Sequence, residues 1–346
     1  MDLTLVLLFS MIAGLAGLLG SSRWRIWLLL AASLASLFWM QPSTPVRNLS
    51  AILPAASLCL VVVVWAAARP EGPGSKAILI GLLSTVLIAL FVVLKSAPLS
   101  AAASAGLRRV TGQPSGLASA LDIRWLGYSY LAFRLLHVLR DRRVGRLASL
   151  PLAEFLVYAL FFPAFTSGPI DRFQRFQQDL RRPFKLEREE LFEAGRRILA
   201  GVFKKFALAD SLALVALNGE TAAQASSPVW LWVMVYAYAL RLYFDFSGYT
   251  DIAIGLGRLS GICLPENFER PYLKPNLTLF WNSWHITLAQ WFRAYFFNPL
   301  TRTLRSGSRR LPPAVIVLVG QLATMTLIGL WHGVTWNFAA WGAWHA

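Results

Sequence analysis

Charged residues, cysteine and histidine are all scarce in this chain. Of its 346 residues only 14% are charged, whereas 56% are apolar. The apolar residues form uninterrupted runs long enough for the hydrocarbon core of a bilayer, which takes roughly 20 residues of helix. The chain is therefore predicted to be an all-α polytopic membrane protein.

The two cysteines and the histidines form no local ligand set. Cys59 and Cys263 lie far apart in apolar surroundings, so they are interpreted as small apolar packing residues. A metal site needs clustered ligands. No metal site is predicted, because the four histidines are scattered at positions 137, 285, 332 and 345.

Signatures of common soluble enzymes are missing as well. The chain has no Walker loop and no Gly-x-Ser-x-Gly elbow. The glycines of residues 255–261 have one residue too many for a dinucleotide-binding turn, so they predict close helix packing. His137 and Asp141 share a helical face, but the arginines beside them favour an ordinary membrane-exit turn.

The chain does have a series of apolar segments, which are expected to form one membrane domain over residues 1–346. The first segment lacks a basic region and a cleavage site, so it is predicted to be a retained helix. The last residues, 336–346, are apolar but too short to cross, so further helices are expected beyond them. The candidate segments are residues 1–20, 26–40, 51–68, 77–94, 125–139, 152–165, 198–217, 229–246 and 314–330, with buried pieces around 252–264 and 277–297.

Basic residues outnumber acidic residues by 33 to 17 and gather in the loops. This pattern favours contact with anionic lipid headgroups over contact with nucleic acid. The positive-inside tendency places the N-terminus outside and the basic clusters within residues 23–25, 69–76 and 140–146 in the cytoplasm. Residues 152–165 lie between two basic stretches, so Pro163, Gly168 and Pro169 are expected to turn this segment back inside the membrane.

Two amphipathic helices are predicted after this turn. Apolar residues recur at helical spacing in residues 170–180, and a second pattern begins at Glu187 with acidic residues in its first turn. Both helices are expected to lie flat in the cytoplasmic interface. A solvated charged loop is the alternative.

His332 is a titratable ring at the end of the last long apolar segment. Such a group is costly to place beside hydrocarbon, which makes it a functional-site hypothesis. A core histidine whose ring N–H is satisfied by a carbonyl is the alternative interpretation. With Asp245, Asp251 and Arg134, His332 could also form the ion path of a transporter.

Two further blocks combine polar residues with apolar surroundings. If residues 280–293 form one helix, His285 shares a face with Trp281, Leu288 and Phe292. A buried structural histidine is the alternative interpretation. In residues 244–251, Asp245 and Asp251 sit among apolar residues and need partners, for which Arg241, Arg258 and the histidines are the candidates. A purely structural polar network is the alternative.

Five stretches in this order resemble the membrane-bound O-acyltransferase family, in its bacterial alginate O-acetylation and D-alanyl transfer branch. They are residues 162–172 (FPAFTSGPIDR), 243–251 (YFDFSGYTD), 264–272 (LPENFERPY), 280–285 (FWNSWH) and 330–333 (LWHG). The resemblance covers a core of residues 121–346, after N-terminal helices in residues 1–120. It implies a ring of about ten transmembrane helices and re-entrant segments around a central tunnel, with His332 as the active-site histidine and His285 as the second motif histidine.

This chain departs from the family pattern at two places near His285. Both departures bear on which acceptor or partner the chain uses. Arg293 is followed by Ala294 where the family usually has Asp, and Asn282 and Ser283 precede His285 where basic residues are common. The predicted substrate-binding residues are Asn282, Trp281, Trp284, Asp245, Ser247, Tyr249 and Trp331.

The predicted function is transfer of a short acyl group, acetyl by preference, from a cytoplasmic thioester to an extracytoplasmic polysaccharide or envelope acceptor. His332 is the predicted general base, and His285 orients the acceptor or stabilises the oxyanion. No cofactor is expected besides the co-substrate, acyl-CoA or an acyl-carrier protein. An extracytoplasmic transferase and membrane lipids are the expected partners, in the bacterial inner membrane. D-Alanyl transfer, an ion-coupled transporter and a non-catalytic scaffold are the alternatives.

Overall fold

A computed structural model describes residues 3–19, 22–69, 76–225, 227–307 and 311–346. Within these ranges the regular structure is helical, apart from one isolated bridge between Phe268 and Trp284. The all-helical prediction is confirmed. Residues 1, 2 and 20 of the first predicted segment lie outside the described residues.

The first eleven α-helices of the described ranges lie between Leu3 and Ala223. They are α1 Leu3–Leu18, α2 Ser22–Trp39, α3 Leu49–Ala68, α4 Ala77–Lys95, α5 Ala97–Val110, α6 Tyr128–Arg143, α7 Leu152–Leu160, α8 Phe173–Arg181, α9 Arg188–Val202, α10 Asp210–Ala213 and α11 Gly219–Ala223. A π-helical stretch, Phe203–Ala209, joins α9 to α10. The amphipathic α5 was not predicted, because its small residues carry no long apolar run.

The remaining α-helices of the described ranges lie between Pro228 and His345. They are α12 Pro228–Leu259, α13 Leu277–Ser283, α14 Ile286–Phe292, α15 Asn298–Ser306, α16 Pro313–His332 and α17 Trp336–His345. Helix α12 begins with Ser227, whose Oγ accepts from the N–H of Trp230, and with Pro228 in its first turn, which are favourable start signals. It joins the predicted segment 229–246 to the predicted buried piece that follows.

Among the described residues, three helices are long and apolar enough to cross a membrane: α3, α4 and α16. Each has 19 or 20 residues, which matches the hydrocarbon thickness of a bilayer. Helices α1 and α7 are apolar but shorter. These helices support the conclusion that the chain is a membrane protein. The number of membrane crossings stays a prediction.

The described chain forms two compact units. The first unit contains residues Met1–Ala32 and Phe161–Ile286, and the second contains Ser33–Leu160 and Thr287–Ala346. Each unit is therefore built from two separate stretches of sequence. The expectation of one membrane domain over residues 1–346 stays a prediction.

The first unit is organised around α12, and glycines allow α9 to lie close against it. A Cβ built on Gly201 would lie 2.5 Å from the carbonyl oxygen of Gly248, and one on Gly255 would lie 2.8 Å from that of Ala194. The prediction that residues 255–261 serve close helix packing is confirmed at Gly255. Since no side chain larger than hydrogen fits here, the two helices approach backbone to backbone.

The two predicted amphipathic helices exist as α8 and α9, but their apolar faces differ in burial. Phe173, Phe176 and Leu180 of α8 are buried inside the protein. The apolar face of α8 therefore packs against the protein itself, and the position of α8 in the cytoplasmic interface stays a prediction. Helix α9 leaves Phe192 and Leu199 exposed, because the opposite face carries the small residues that pack against α12.

The second unit joins α3, α4 and α6 through hydrogen bonds from aromatic side chains. The Tyr128 hydroxyl donates to the carbonyl of Leu87, 2.8 Å away, and the Trp125 Nε1 donates to Ser57 Oγ at 2.7 Å. Buried aromatic N–H and O–H groups need such partners. These bonds fix the start of α6 against the two apolar helices.

Candidate functional site

His332 is the last residue of α16, where the chain turns into α17. Gly333 ends the helix in an extended conformation, and the Thr335 hydroxyl accepts from the N–H of Phe338 to begin α17. Helix α17 packs so closely on α16 that a Cβ on Gly329 would overlap the carbonyl oxygen of Phe338. No side chain larger than hydrogen fits at Gly329 between the two helices.

Aromatic rings surround the imidazole of His332 on three sides. Its ring centroid lies 4.8 Å from that of Trp331, 5.9 Å from that of Phe338 and 5.6 Å from that of Trp341. The residue nevertheless remains exposed. The residue as a whole is therefore not sealed in packing.

Lys95, at the end of α4, lies close to the same turn. Its carbonyl accepts from the N–H of Val334 at 3.1 Å, and its ammonium group lies 5.8 Å from the ring centre of Trp331. The ring of Trp331 also contacts Tyr130 and Phe133 of α6 at 5.9 Å each. Helices α4 and α6 of the second unit thus hold the turn that carries His332.

His285 lies at a break between two helices, and the prediction of one continuous helix through it is wrong. Helix α13 ends at Ser283, Trp284 is extended, and His285 has a φ of 47° before α14 begins. The shared helical face with Trp281, Leu288 and Phe292 therefore does not exist. A positive φ is uncommon for a residue with a side chain, which indicates that tertiary contacts hold this conformation.

The contacts that hold His285 come from Asn267. The Nδ1 atom of His285 lies 3.1 Å from Asn267 Oδ1, and the Ile286 N–H donates to the Asn267 carbonyl at 2.9 Å. The Phe246 ring packs edge-on against the imidazole at 4.8 Å. Only 5% of His285 is exposed, so its ring is a fixed and buried group.

An aromatic cluster surrounds Trp284 in the first unit. The Phe280 ring stacks on it at 5.7 Å, and Phe268 and Tyr272 contact it edge-on at 5.2 and 5.8 Å. Trp281 contacts Phe280 at 5.1 Å, and Asn282 is exposed beside it. Trp281 and Trp284 therefore belong to one aromatic cluster of the first unit.

The acidic residues of α12 pair with basic residues of α9 and the π-helical stretch. Arg197 and Lys204 both bind Asp251, and Lys205 binds Asp245. The expected partners were wrong: Arg258 pairs with Glu190 instead. Since the pairing depends on how α9 packs against α12, sequence spacing within one segment could not show it.

Tyr249 connects two of the sequence motifs. Its hydroxyl donates to the Pro163 carbonyl at 3.0 Å and accepts from Thr166 Oγ1 at 2.9 Å and from the Ser167 N–H at 3.2 Å. It is therefore buried and fully used in holding the turn after α7. Ser247, a neighbouring predicted substrate residue, is buried, and its Oγ has no hydrogen-bond partner in the described part of the chain.

His137 and Asp141 belong to a buried polar cluster, and not to an exposed membrane-exit turn. Both are at most 3% exposed. The Tyr295 hydroxyl donates to the Asp141 carboxylate at 3.2 Å, and its ring stacks on His137 at 5.8 Å. Tyr158 Oη lies 3.1 Å from His137 Nε2. The four-residue spacing indicated this pair, but the arginines beside it were misleading.

The structure groups the predicted site residues by unit. His285 and the substrate residues Trp281, Asn282, Trp284, Asp245, Ser247 and Tyr249 lie in the first unit, while His332 and Trp331 lie in the second. Among the residues described, no three His, Cys, Asp or Glu side chains form a set that could hold a metal ion.

Comparison with known proteins agrees with these motifs. The family model for the membrane-bound O-acyltransferase family matches residues 108–346. A teichoic acid D-alanyltransferase of Streptococcus thermophilus is 37% identical over 231 residues, covering 64% of this chain and 55% of the relative. A probable alginate O-acetylase AlgI of Azotobacter vinelandii is 36% identical over 227 residues, covering 64% and 42%.

A peptidoglycan O-acetyltransferase of Helicobacter pylori is 36% identical over 203 residues, covering 56% of this chain and 36% of the relative. The chain thus spans about half or less of the length of these relatives. The family model, in contrast, matches well over half of the chain. The chain therefore belongs to the membrane-bound O-acyltransferase family.

Proposed function

We propose that this protein is a membrane O-acyltransferase that moves a short acyl group from a thioester to a hydroxyl of a cell-envelope polymer. The observation that carries the proposal is the position of His332, an exposed residue at the α16–α17 turn whose ring packs beside those of Trp331, Phe338 and Trp341. The relatives, which are named for O-acetyl and D-alanyl transfer, support the same reaction class.

The proposed chemistry is a direct transfer. His332 removes the proton from the acceptor hydroxyl while the hydroxyl oxygen attacks the thioester carbonyl, and an ester forms as the carbon–sulfur bond breaks. The thiolate then takes up the proton from the imidazolium. A positioned general base contributes on the order of 10²–10⁴-fold to such a step. Within the proposed tunnel, exclusion of water would limit hydrolysis of the thioester.

His285 is proposed as the second histidine of the reaction, with a role set by its rigidity. Because Asn267 Oδ1 accepts from the Nδ1–H of His285, the ring is fixed and is proposed to orient the acceptor; donation to the developing oxyanion would require the doubly protonated ring. Asn282 and the tryptophans beside it are proposed to contact the substrate. Asp245 and Tyr249 are already engaged by Lys205 and the Pro163 turn, so their role is to position these elements.

The donor is proposed to be acyl-CoA or an acyl-carrier protein on the cytoplasmic side of the inner membrane. The acyl group passes through a central tunnel, within a ring of about ten helices and re-entrant segments, to an extracytoplasmic acceptor or partner transferase. Acetyl is the first choice. D-Alanyl is the second, because relatives named as D-alanyltransferases are 37% and 33% identical to the chain.

The ion-path alternative loses its main support. Asp251 is bound by Arg197 and Lys204, and Arg134 donates to the Ala159 carbonyl at 2.9 Å. These groups are thus occupied in structural interactions. Asp245 is likewise bound by Lys205.

The test compares envelope polymers from cells that carry His332→Gln with those that carry the wild-type chain. Esters released by mild base are identified by mass spectrometry, which also separates acetyl from D-alanyl groups. We expect His332→Gln to lower ester content at least about 100-fold. Arg305→Gln is the control, because Arg305 is exposed on α15 and has no part in the proposed reaction, so it should leave ester content unchanged.

The scaffold alternative predicts a different result. If His332→Gln protein accumulates to the wild-type level and the polymers keep their esters, the chain supports another enzyme and the proposed catalysis is wrong.

A further inference from the structure

The second unit contains a large apolar cavity that no step of the proposed reaction uses. Its volume is about 680 Å³, within the range of about 300–1,000 Å³ that ligand cavities occupy. Helices α4, α6, α14, α15 and α16 line it, mostly with Leu, Ile, Val, Phe and Trp side chains. Such a lining suits a hydrocarbon chain.

One end of the cavity lies beside the candidate active centre. Trp331 and Val334, on either side of His332, both line it. The Trp331 ring contacts Phe133, which lies near the start of α6. Trp331 therefore lines the cavity at this end and also belongs to the turn that carries His332.

The opposite end is basic. Arg140 lines the cavity near the end of α6, and Tyr295 lies there because its hydroxyl bonds to Asp141. Arg140 is exposed and forms no ion pair with a carboxylate among the residues the structure describes. Further arginines follow at positions 142, 143 and 146.

The distance between the two ends matches one lipid chain. From Ser129 to Arg140, which both line the cavity, α6 rises about 16 Å at about 1.5 Å per residue. Half of the hydrocarbon core of a bilayer is about 15 Å thick. The cavity also opens laterally, since Ile88 of the apolar helix α4 lines it and is 53% exposed.

From these observations we propose that the cavity binds one acyl chain of an anionic phospholipid, with the phosphate of the headgroup at Arg140 and the chain end against Trp331. The charge of Arg140 selects an anionic headgroup from the cytoplasmic leaflet. The bound chain fills the space behind Trp331 and so holds the turn that carries His332.

A phosphopantetheine arm fits this cavity less well. Its amides need hydrogen-bond partners when they leave water. The polar side chains of the lining are mostly engaged: Ser84 donates to the Ile80 carbonyl, Thr303 to that of Pro299, and Tyr295 to Asp141. A hydrocarbon chain makes no such demand.

The experiment uses the full chain reconstituted in phosphatidylcholine vesicles with a trace of phosphatidylglycerol that carries a photoreactive diazirine in its acyl chain. We expect cross-links on peptides of α6 and α16, and we expect competition by phosphatidylglycerol but not by added phosphatidylcholine. Arg140→Gln should lower labelling about fivefold, whereas Arg143→Gln on the same helix should not.

A second pair of variants tests the cavity itself. Ile88→Trp should block the lateral opening and remove the label, whereas Ile78→Trp, on the exposed start of α4 outside the cavity, should not. Labelling that persists in Arg140→Gln or Ile88→Trp would overturn the proposal. Competition by coenzyme A in place of phosphatidylglycerol would overturn it as well and would assign the cavity to the donor. His332→Gln should label normally, so lipid binding and acyl transfer are tested separately.

Discussion

The ion pair between Arg108 and Asp122 shows how individual residues fix the loop before α6. Each is 5% exposed, and the carboxylate also accepts from Ser104 Oγ at 2.6 Å and from the Ser119 N–H at 3.1 Å. Burial alone would raise the pKa of Asp122, but these hydrogen bonds and Arg108 together lower it below its ordinary value. The loop is thereby tied to α5.

This pair predicts a loss of stability in acid. Because the pKa of Asp122 is lowered in the folded protein, its contribution is complete above the unfolded value of about 3.9 and is lost as the pH falls through the folded value. Asp122→Asn should lower the free energy of unfolding at pH 7 by about 3 kcal/mol, since Arg108 is left buried without its partner.

The measurement is the thermal unfolding temperature of the detergent-solubilised protein between pH 7 and pH 3. The wild-type chain should lose more stability over this range than Asp122→Asn. Parallel curves for the two proteins would show that the carboxylate contributes nothing.

At the scale of helices, the packing of α9 on α12 depends on the absence of side chains. A Cβ on Gly201 meets the Gly248 carbonyl oxygen and the Ile252 side chain, whereas a Cβ on Gly195 of the same helix meets no atom within 4 Å. Two chemically identical substitutions on one helix therefore have opposite surroundings.

We expect Gly201→Ala to destabilise the protein by about 1–3 kcal/mol through overpacking. Gly195→Ala should stabilise α9 by up to about 1 kcal/mol, because alanine is the better helix former. The unfolding temperatures of both variants, followed by size-exclusion chromatography in detergent, test this. Equal shifts for the two would contradict the close approach of α9 and α12.

The sequence predicted helices where apolar residues form long runs, as in α3, α4 and α16. It failed where the decisive interaction comes from another part of the chain. Ser283 and Trp284 carry no helix-breaking signal, yet the helix stops there because Asn267 holds His285 and Ile286. The same applies to Asp251, whose partner Arg197 lies 54 positions earlier.

The two cysteines can show which parts of the whole protein face lipid and which face water. Neither is a buried packing residue as predicted, because both thiols are exposed. Cys59 lies in the middle of α3, where the surroundings are lipid if that helix crosses. Cys263 lies in the loop after α12, where its N–H donates to Asp179 at 2.9 Å.

A water-soluble maleimide should therefore label Cys263 but not Cys59 in inverted membrane vesicles. Partial burial and the nearby Asp179 carboxylate raise the pKa of the Cys263 thiol, so its labelling should increase steeply above neutral pH. The single variants Cys59→Ala and Cys263→Ala separate the two signals in a gel-shift assay. Labelling of Cys59 in intact vesicles would contradict a membrane-spanning α3.

The division of the first unit into two separate stretches has a consequence for biosynthesis. Arg25 of α2 is fully buried and donates to the carbonyls of Asp179, Leu180 and Arg182 at the end of α8. These acceptors follow it by more than 150 positions. At a translation rate of about 5–20 residues per second, the ribosome needs on the order of ten seconds to supply them. During that interval the guanidinium of a newly inserted helix must be sheltered by water, headgroups or the insertion machinery.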